Sequence, residues 1–448
     1  MSAAAVDATE TKLDRLGIPY VLRWGFLGVL LFMTGTGVES NFLAPHLESV
    51  LDSTASTVSV IVAFYSGAVL VASYLSGALA DLWGPRRVML MGFVIWMVFE
   101  VLFLLALGMG SVPLAAVAYF LRGFGFPFFA FSFLVWINIT APVERRATAV
   151  GWFYVMFTGG LPTLGSLWAI GAIPAFGGGT GGETGAMWTS LILVTAGFAC
   201  AWWGVRARNG YGRIAPAGET DVEVITAGLR LTARNPKVLM GFLVRLINTA
   251  PEFGMFIILP TVIATELEWG QSRWLTMTVC VYAGNILFNA FFGGVGDRFG
   301  WRQTVRWMGV AGSAVGLLLW WYVPHLVPAG STWGFVVSVM AGVTFGIMLA
   351  GFVPMGAIMP ALAPDHKGAA MAMYTTAAGG ATFLGSAVVA IVLNIADLFD
   401  ASSFAANSAV VWTFVALYSV AFVMVGQLRV PEDEKKTADR RARAAAAR

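Results

Sequence analysis

Five ionisable residues lie inside stretches that are otherwise apolar: Glu39, Glu100, Arg122, Arg245 and Glu252. Glu39 falls within "MTGTGVESNF", between the apolar run Phe26–Phe32 and the hydrophobic step Leu43–Ala44. An ionised carboxylate in hydrocarbon costs at least about 2.5–3.5 kcal/mol on insertion scales, so such a group faces a cavity, a partner or a proton. Carboxylates and guanidinium groups in that setting can form a structural ion pair, pass a proton, or grip a polar solute. Bond-making chemistry finds no support. His46, His325 and His366 sit at helix ends or in loops without a nucleophile or metal-ligand spacing around them, and Cys200 and Cys280 are embedded in apolar runs. The chain therefore reads as no enzyme, with no metal and no cofactor.

The elements that hold these residues follow from composition. Of 448 residues, 58% are hydrophobic and 11% charged, against roughly 25% charged in soluble domains. Such a chain belongs in a bilayer. Met1–Tyr20 is polar and mixed in charge, which does not suit a secretory signal. A span needs about 20 mostly apolar residues, and the hydropathy pattern predicts twelve helices. They run near 24–46, 57–79, 88–109, 112–137, 147–173 and 186–205, then 237–264, 274–295, 303–323, 332–360, 368–395 and 404–428. Of 27 Lys and Arg, Arg122 and Arg245 are inside helices and Arg273 lies alone on the opposite face; the other 24 fall on one face, in the termini and in loops after even-numbered helices. The positive-inside rule makes the face of those 24, and both termini, cytoplasmic. The predicted divisions are an N-terminal segment 1–23, a six-helix half 24–205, a linker 206–236, a second half 237–428 and a basic, solvated tail 429–448. Gly177–Gly185 is predicted to be a flexible external loop. The basic residues are too dispersed for nucleic-acid binding.

The two halves repeat each other. "GFL" at Gly25–Leu27 recurs at Gly241–Leu243, and "GALADLWGPRR" at Gly77–Arg87 recurs as "GGVGDRFGWRQ" at Gly293–Gln303. "GGLPTLGS" at Gly159–Ser166 returns as "GGATFLGS" at Gly379–Ser386. Parallel repeats of this kind suit a carrier that rocks one half against the other around a central site. The loop Gly77-x-Leu79-Ala80-Asp81-x-x-Gly84-x-Arg86 resembles the signature loop of the major facilitator superfamily, with Asp297, Arg298, Gly300 and Arg302 as its second copy. That resemblance implies an all-α fold of twelve transmembrane helices in two six-helix halves related by a pseudo-two-fold axis. In the loop, Gly77 permits close packing, Gly84 makes the turn, and Asp81 caps a helix start or pairs with Arg residues, latching the halves in the outward-facing state.

Within that superfamily, "FMTGTGVE" (Phe32–Glu39), "LRGFGFPFFAFSFLV" (Leu121–Val135), "VRLINT" (Val244–Thr249) and "FVPMGAIMPALAPDHKGAA" (Phe352–Ala370) resemble the polyol permease family of ribitol and D-arabinitol importers. The resemblance implies uptake of a linear sugar alcohol with protons across the bacterial inner membrane, by a chain whose default state is a monomer. An importer of a small organic anion held by Arg122 and Arg245 is the competing reading, and an exporter of hydrophobic compounds a third.

Depth in the bilayer follows from the helical rise. At about 1.5 Å per residue, Glu39 lies roughly 22 Å beyond Trp24, and Arg122 roughly 15 Å below the outer end of helix 4. In a core of about 30 Å these levels nearly coincide. Helices 1 and 4 line the cavity in this superfamily, so Glu39 is expected to pair with Arg122, either as a proton-coupling switch or as a static pair. Arg245, Asn248 and Glu252 form a polar stripe on helix 7. Tyr282, Asn285 and Asn289 share one face of helix 8, where amides offer both donors and acceptors to hydroxyl groups. Tyr374 on helix 11 and Trp152 and Tyr154 on helix 5 are the aromatic candidates. Glu100, on the usually peripheral helix 3, reads as a structural group that is protonated or bonded to a neighbouring helix.

Overall fold

The computed structural model describes residues 11–431 apart from 41, 54 and 217. Most of the basic tail, and the first ten residues, lie outside the described residues. Among those described, every regular element is a helix. Eleven stretches are long and apolar enough to cross a membrane. They comprise helix 2 (Ala55–Trp83), helix 3 (Pro85–Gly108), helix 4 (Val112–Arg122 and Gly125–Thr140), helix 5 (Arg146–Thr158 and Gly165–Ala175, joined by the π-turn Gly159–Leu164) and helix 6 (Gly179–Gly204). After the linker come helix 7 (Pro236–Thr261), helix 8 (Gly270–Phe299), helix 9 (Trp301–Leu326), helix 10 (Thr332–Leu349, continuing to Ala361), helix 11 (Lys367–Asp397) and helix 12 (Ser403–Gln427). Large apolar side chains such as Leu287, Phe383 and Trp333 are exposed, as befits helices whose outer surface meets lipid.

Helix 1 departs from the predicted continuous span. It runs as Arg23–Gly37, gives way to turns at 38–40, and resumes as the short helix Leu43–Val50. The break falls at Glu39. Irregular backbone at membrane depth is tolerated where it lines a cavity. Helix 6 begins at Gly179, so the predicted loop 177–185 is reduced to a turn in which Gly177, Gly178 and Gly179 all take positive φ. The π-turn of helix 5 contains Pro162, whose missing N–H releases a carbonyl and shifts the register of the turn.

The repeated loops are alike in conformation. Gly84 and Gly300 take φ of 82° and 107°, a region that L side chains avoid, and Pro85 opens helix 3 at its first turn. Arg86 then donates to the Trp202 carbonyl at 2.9 Å and lies over the Trp202 and Tyr211 rings. Arg302, its repeat, donates to the Gly426 carbonyl at 3.0 Å. Each arginine thus fastens helix 3 or 9 to the last helix of its own half. Arg298 lies 5.7 Å from its neighbour Phe299.

On the side of the basic loops the two groups of helices meet closely. A Cβ on Gly77 would collide with the Gly368 carbonyl and Ala372, so backbone approaches backbone there. The linker carries the helix Asp221–Arg234, opened by a capping box between Thr220 and Glu223. It packs across both groups: the Tyr74 hydroxyl of helix 2 donates to the Ile225 carbonyl at 2.6 Å, and Gly228 faces the Ala369 carbonyl of helix 11.

Candidate functional site

Glu39, Glu100 and Arg122 form one buried cluster. Arg122, 1% exposed, ends the first piece of helix 4, and the kink after it at Gly123–Phe124 turns the chain. Its Nη1 donates to Glu39 Oε2 at 2.9 Å and also to Glu100 Oε2, and its Nη2 donates to Glu39 Oε1. The Tyr119 hydroxyl donates to Glu39 Oε1 at 3.2 Å, and Ser190 Oγ to Glu100 Oε1 at 3.4 Å. The rings of Tyr65, Trp96, Phe103 and Tyr119 surround the guanidinium at 4.6–5.6 Å, a favourable cation–π cage. The sequence offered Glu39 alone as the partner; the structure adds Glu100 from helix 3. With both carboxyls ionised, the cluster carries one negative charge in excess.

A central cavity of about 430 Å³ opens between the two groups of helices. Arg245, Thr249 and Glu252 line it from helix 7, Tyr282, Asn285 and Asn289 from helix 8, and Tyr154 and Phe157 from helix 5. The Arg245 guanidinium donates to Thr249 Oγ1 and lies 4.0 Å from the Phe352 ring and 5.1 Å from that of Tyr374. Tyr282 sits beside the Glu252 carboxyl. Asn289 Nδ2 donates to Asn285 Oδ1 at 3.2 Å, and Asn285 Nδ2 to the Gly346 carbonyl at 3.1 Å. The Oδ1 of Asn289 has no protein donor. A second space of about 380 Å³, walled by Glu39, Tyr65 and Tyr119, adjoins the first and shares Ser40, Val69, Phe126, Leu161, Gly379 and Thr382 with it. The ion cluster therefore borders the route into the central cavity.

Three predicted contact residues take other positions. Trp152 faces outward from helix 5, and its Nε1 donates to the Leu16 carbonyl at 2.8 Å, pinning the N-terminal segment outside the cavity. Arg145 donates to the Asp14 carbonyl in the same place. Although burial opposes it, hydrogen bonds from Thr11 and Tyr20, aided by the Arg145 charge, hold the Asp14 carboxyl below its usual range. Asn248 turns away towards helix 9, its Nδ2 donating to the Gly309 carbonyl, while its backbone carbonyl accepts from the Tyr418 hydroxyl at 3.0 Å. Tyr374 stands behind the wall, fully buried, with its hydroxyl 3.0 Å from that of Tyr154. Thr249, Tyr154 and Phe352 are the wall residues next to Arg245 in their stead. Thr249 is four residues from Arg245 and was readable as a face-sharing position; Phe352 is distant in sequence, and spacing gives no sign of it.

Asp81 and Asp297 close the side opposite the opening. Asp81, 2% exposed, accepts from the N–H groups of Gly368 and Ala369 at 3.2 and 3.1 Å, at the start of helix 11. Asp297 accepts from the Ala147 and Thr148 N–H groups at 3.3 and 2.7 Å, and from Thr148 Oγ1 at 2.7 Å, at the start of helix 5. Each carboxylate caps a helix of the other group, where free N–H groups and the positive end of the helix dipole favour an anion. The linker adds to the first contact: Ile214 and Ala215 N–H donate to the Asp81 carbonyl, and His366 lies 3.5 Å from Glu219.

The sequence model of the Major Facilitator Superfamily matches residues 25–386 and 241–447. The chain is 33% identical to the alpha-ketoglutarate permease of Bacillus subtilis, over 95% of this chain and 93% of that one. It is 32% identical to the D-arabinitol transporter of Klebsiella pneumoniae, over 93% and 94%. It is also 32% identical to the ribitol transporter of the same organism, over 93% of each. In fold it is similar to a bacterial homologue of the iron transporter ferroportin solved in an outward-facing state. The TM-score is 0.72 at 12% identity, covering 91% of this chain and 99% of that one.

Proposed function

This chain belongs to the major facilitator superfamily, a family of transporters, and we propose that its substrate is a linear sugar alcohol, imported together with protons by alternating access. The observation that carries the reading is the charge balance of the cavity wall. One arginine and one carboxyl group, Arg245 and Glu252, face it together with amides, hydroxyls and aromatic rings. That lining offers donors and acceptors in comparable number and no excess of positive charge. It suits a neutral molecule with a hydroxyl on every carbon better than a dianion. Arg122, the other arginine in the anion reading, is occupied by two carboxylates. Relatives named for D-arabinitol and ribitol support the same choice, while the one named for alpha-ketoglutarate supports the anion reading.

Glu39 is the proposed proton carrier. It shares a single arginine with Glu100 and borders the space leading to the cavity. One proton would cancel the excess charge of the cluster and free Arg122 from one of its two partners. The proposed orientation places the basic loops, both termini and the Asp81 and Asp297 contacts in the cytoplasm of a bacterial inner-membrane protein. The structure then corresponds to the outward-open state of a monomer.

The test is proton movement in proteoliposomes on addition of ribitol or D-arabinitol, with the wild type and Glu39→Gln in parallel. Alkalinisation of the outer solution that disappears in Glu39→Gln, while polyol exchange survives, is the expected result. An absent polyol response in the wild type removes the substrate assignment. A proton signal unchanged in Glu39→Gln leaves Glu39 as a structural partner of Arg122.

A further inference from the structure

Resting on the sugar-alcohol reading, we infer that Glu252 sets the substrate class by refusing carboxylates that Arg245 would otherwise accept. Arg245 has the chemistry of a carboxylate receptor. It lines the cavity, no carboxylate lies within ion-pair distance of it among the described residues, and its Nε is buried without a hydrogen-bond partner. A guanidinium group that has, among the described residues, only hydroxyl partners, Thr249, Tyr154 and Tyr374, favours an incoming carboxylate, because a charge-assisted hydrogen bond is the stronger one.

Glu252 opposes this from the same helix. It lies two turns along helix 7, about 10 Å by the helical rise, and lines the same cavity with Tyr282 at its side. A dicarboxylate held at one end by Arg245 would direct its other end at a like charge. The ion cluster bordering the adjoining space, with two carboxylates to one guanidinium, repels the same group. A sugar alcohol meets no such conflict: Arg245 donates to a hydroxyl at one end and Glu252 accepts from a hydroxyl at the other. Discrimination built from a repulsive group beside an attractive one is a general route to specificity.

The experiment is uptake of labelled D-arabinitol and ribitol into proteoliposomes of the full chain, with alpha-ketoglutarate as competitor. The wild type, Glu252→Gln, Glu252→Met, Glu252→Asp and the double variant Glu252→Gln/Arg245→Gln are compared. Purified samples are read in parallel by the thermal shift that alpha-ketoglutarate produces, so a variant that binds without transporting still reports. The expected result is a wild type and Glu252→Asp indifferent to a hundred-fold excess of the dianion. In Glu252→Gln and Glu252→Met the half-inhibiting or half-stabilising concentration falls at least ten-fold, and the double variant loses that response. Pentitol uptake by the wild type, with both neutral variants deaf to alpha-ketoglutarate in both readouts, overturns the role of Glu252 and leaves the sugar-alcohol reading intact. A wild type that carries alpha-ketoglutarate and ignores pentitols overturns both.

Discussion

The carboxylate of Asp81 holds the first N–H groups of helix 11, and the carboxylate of Asp297, 216 positions later, holds those of helix 5. Each half thus caps a helix of the other, and the closed side of the carrier is fastened twice by the same device. A side-chain helix cap contributes about 0.5–2 kcal/mol, and a tenfold change in an equilibrium is about 1.4 kcal/mol. Asp81→Ala and Asp297→Ala should each shift the balance towards the state open on the basic-loop side by up to about thirtyfold. The measurement is labelling of a cysteine placed at Ala378, in the cavity wall, by a membrane-impermeant maleimide from that side. Cys200 and Cys280 are replaced first.

Close backbone approach should be as decisive as charge. A methyl group on Gly77 has no room beside Gly368 and Ala372, and one on Gly293 none beside Ala147 and Thr148. Gly77→Ala and Gly293→Ala are therefore expected to favour the same open state to a comparable degree, because the nearest contact is a backbone carbonyl oxygen at both. The cysteine assay reports both variants. Labelling equal to that of the parent would show that the closed contact yields.

Stability should rank the ion cluster in a definite order. Removing Arg122 leaves two carboxylates in a buried site without their cation; breaking a buried pair in this way costs about 3–5 kcal/mol. Glu39→Gln or Glu100→Gln leaves one carboxylate on one arginine and no net charge. Thermal unfolding in detergent is expected to show Arg122→Ala far below the wild type, and the two glutamine variants much closer to it.

The cavity wall can be separated from its surroundings by kinetics. Asn289 lines the cavity, whereas Trp152 holds Leu16 outside it. A single hydrogen bond is worth about 0.5–1.5 kcal/mol. Asn289→Ala should raise the KM for the transported polyol by several-fold up to about tenfold, and Trp152→Phe should leave KM unchanged. A KM effect at Trp152 equal to that at Asn289 would contradict the geometry.

Much of this architecture was readable from the sequence because bilayers impose length and apolarity on every span. The starts of helices 3, 7 and 9, expected near 88, 237 and 303 from hydropathy, fall within three residues of Pro85, Pro236 and Trp301, where they begin. Azimuth was harder. Asn248 lies about 60° around the helix from Arg245, and whether it meets cavity or helix 9 depends on how helix 7 is rotated, which packing decides. Glu100 could be placed in depth but not in direction, so its contact with Arg122 was invisible. Trp152 was indistinguishable from a cavity aromatic because the segment it holds, near Leu16, carries no signal of where it docks. The break in helix 1 was hinted at by Glu39 alone.

That break has a mechanical meaning. The N–H groups of Phe42 and Leu43 both donate to the Glu39 carbonyl, at 3.1 and 3.0 Å, and the short helix beyond is tied to helix 6 where His46 Nδ1 meets Glu183 at 2.7 Å. Leu43–Val50 is thus a lever of two turns whose fulcrum is the residue with the charged cluster on its side chain. The carbonyl that opens this short helix and the carboxyl group held by Arg122 belong to one residue, so a rearrangement of the cluster and the seating of Leu43–Val50 share a single anchor.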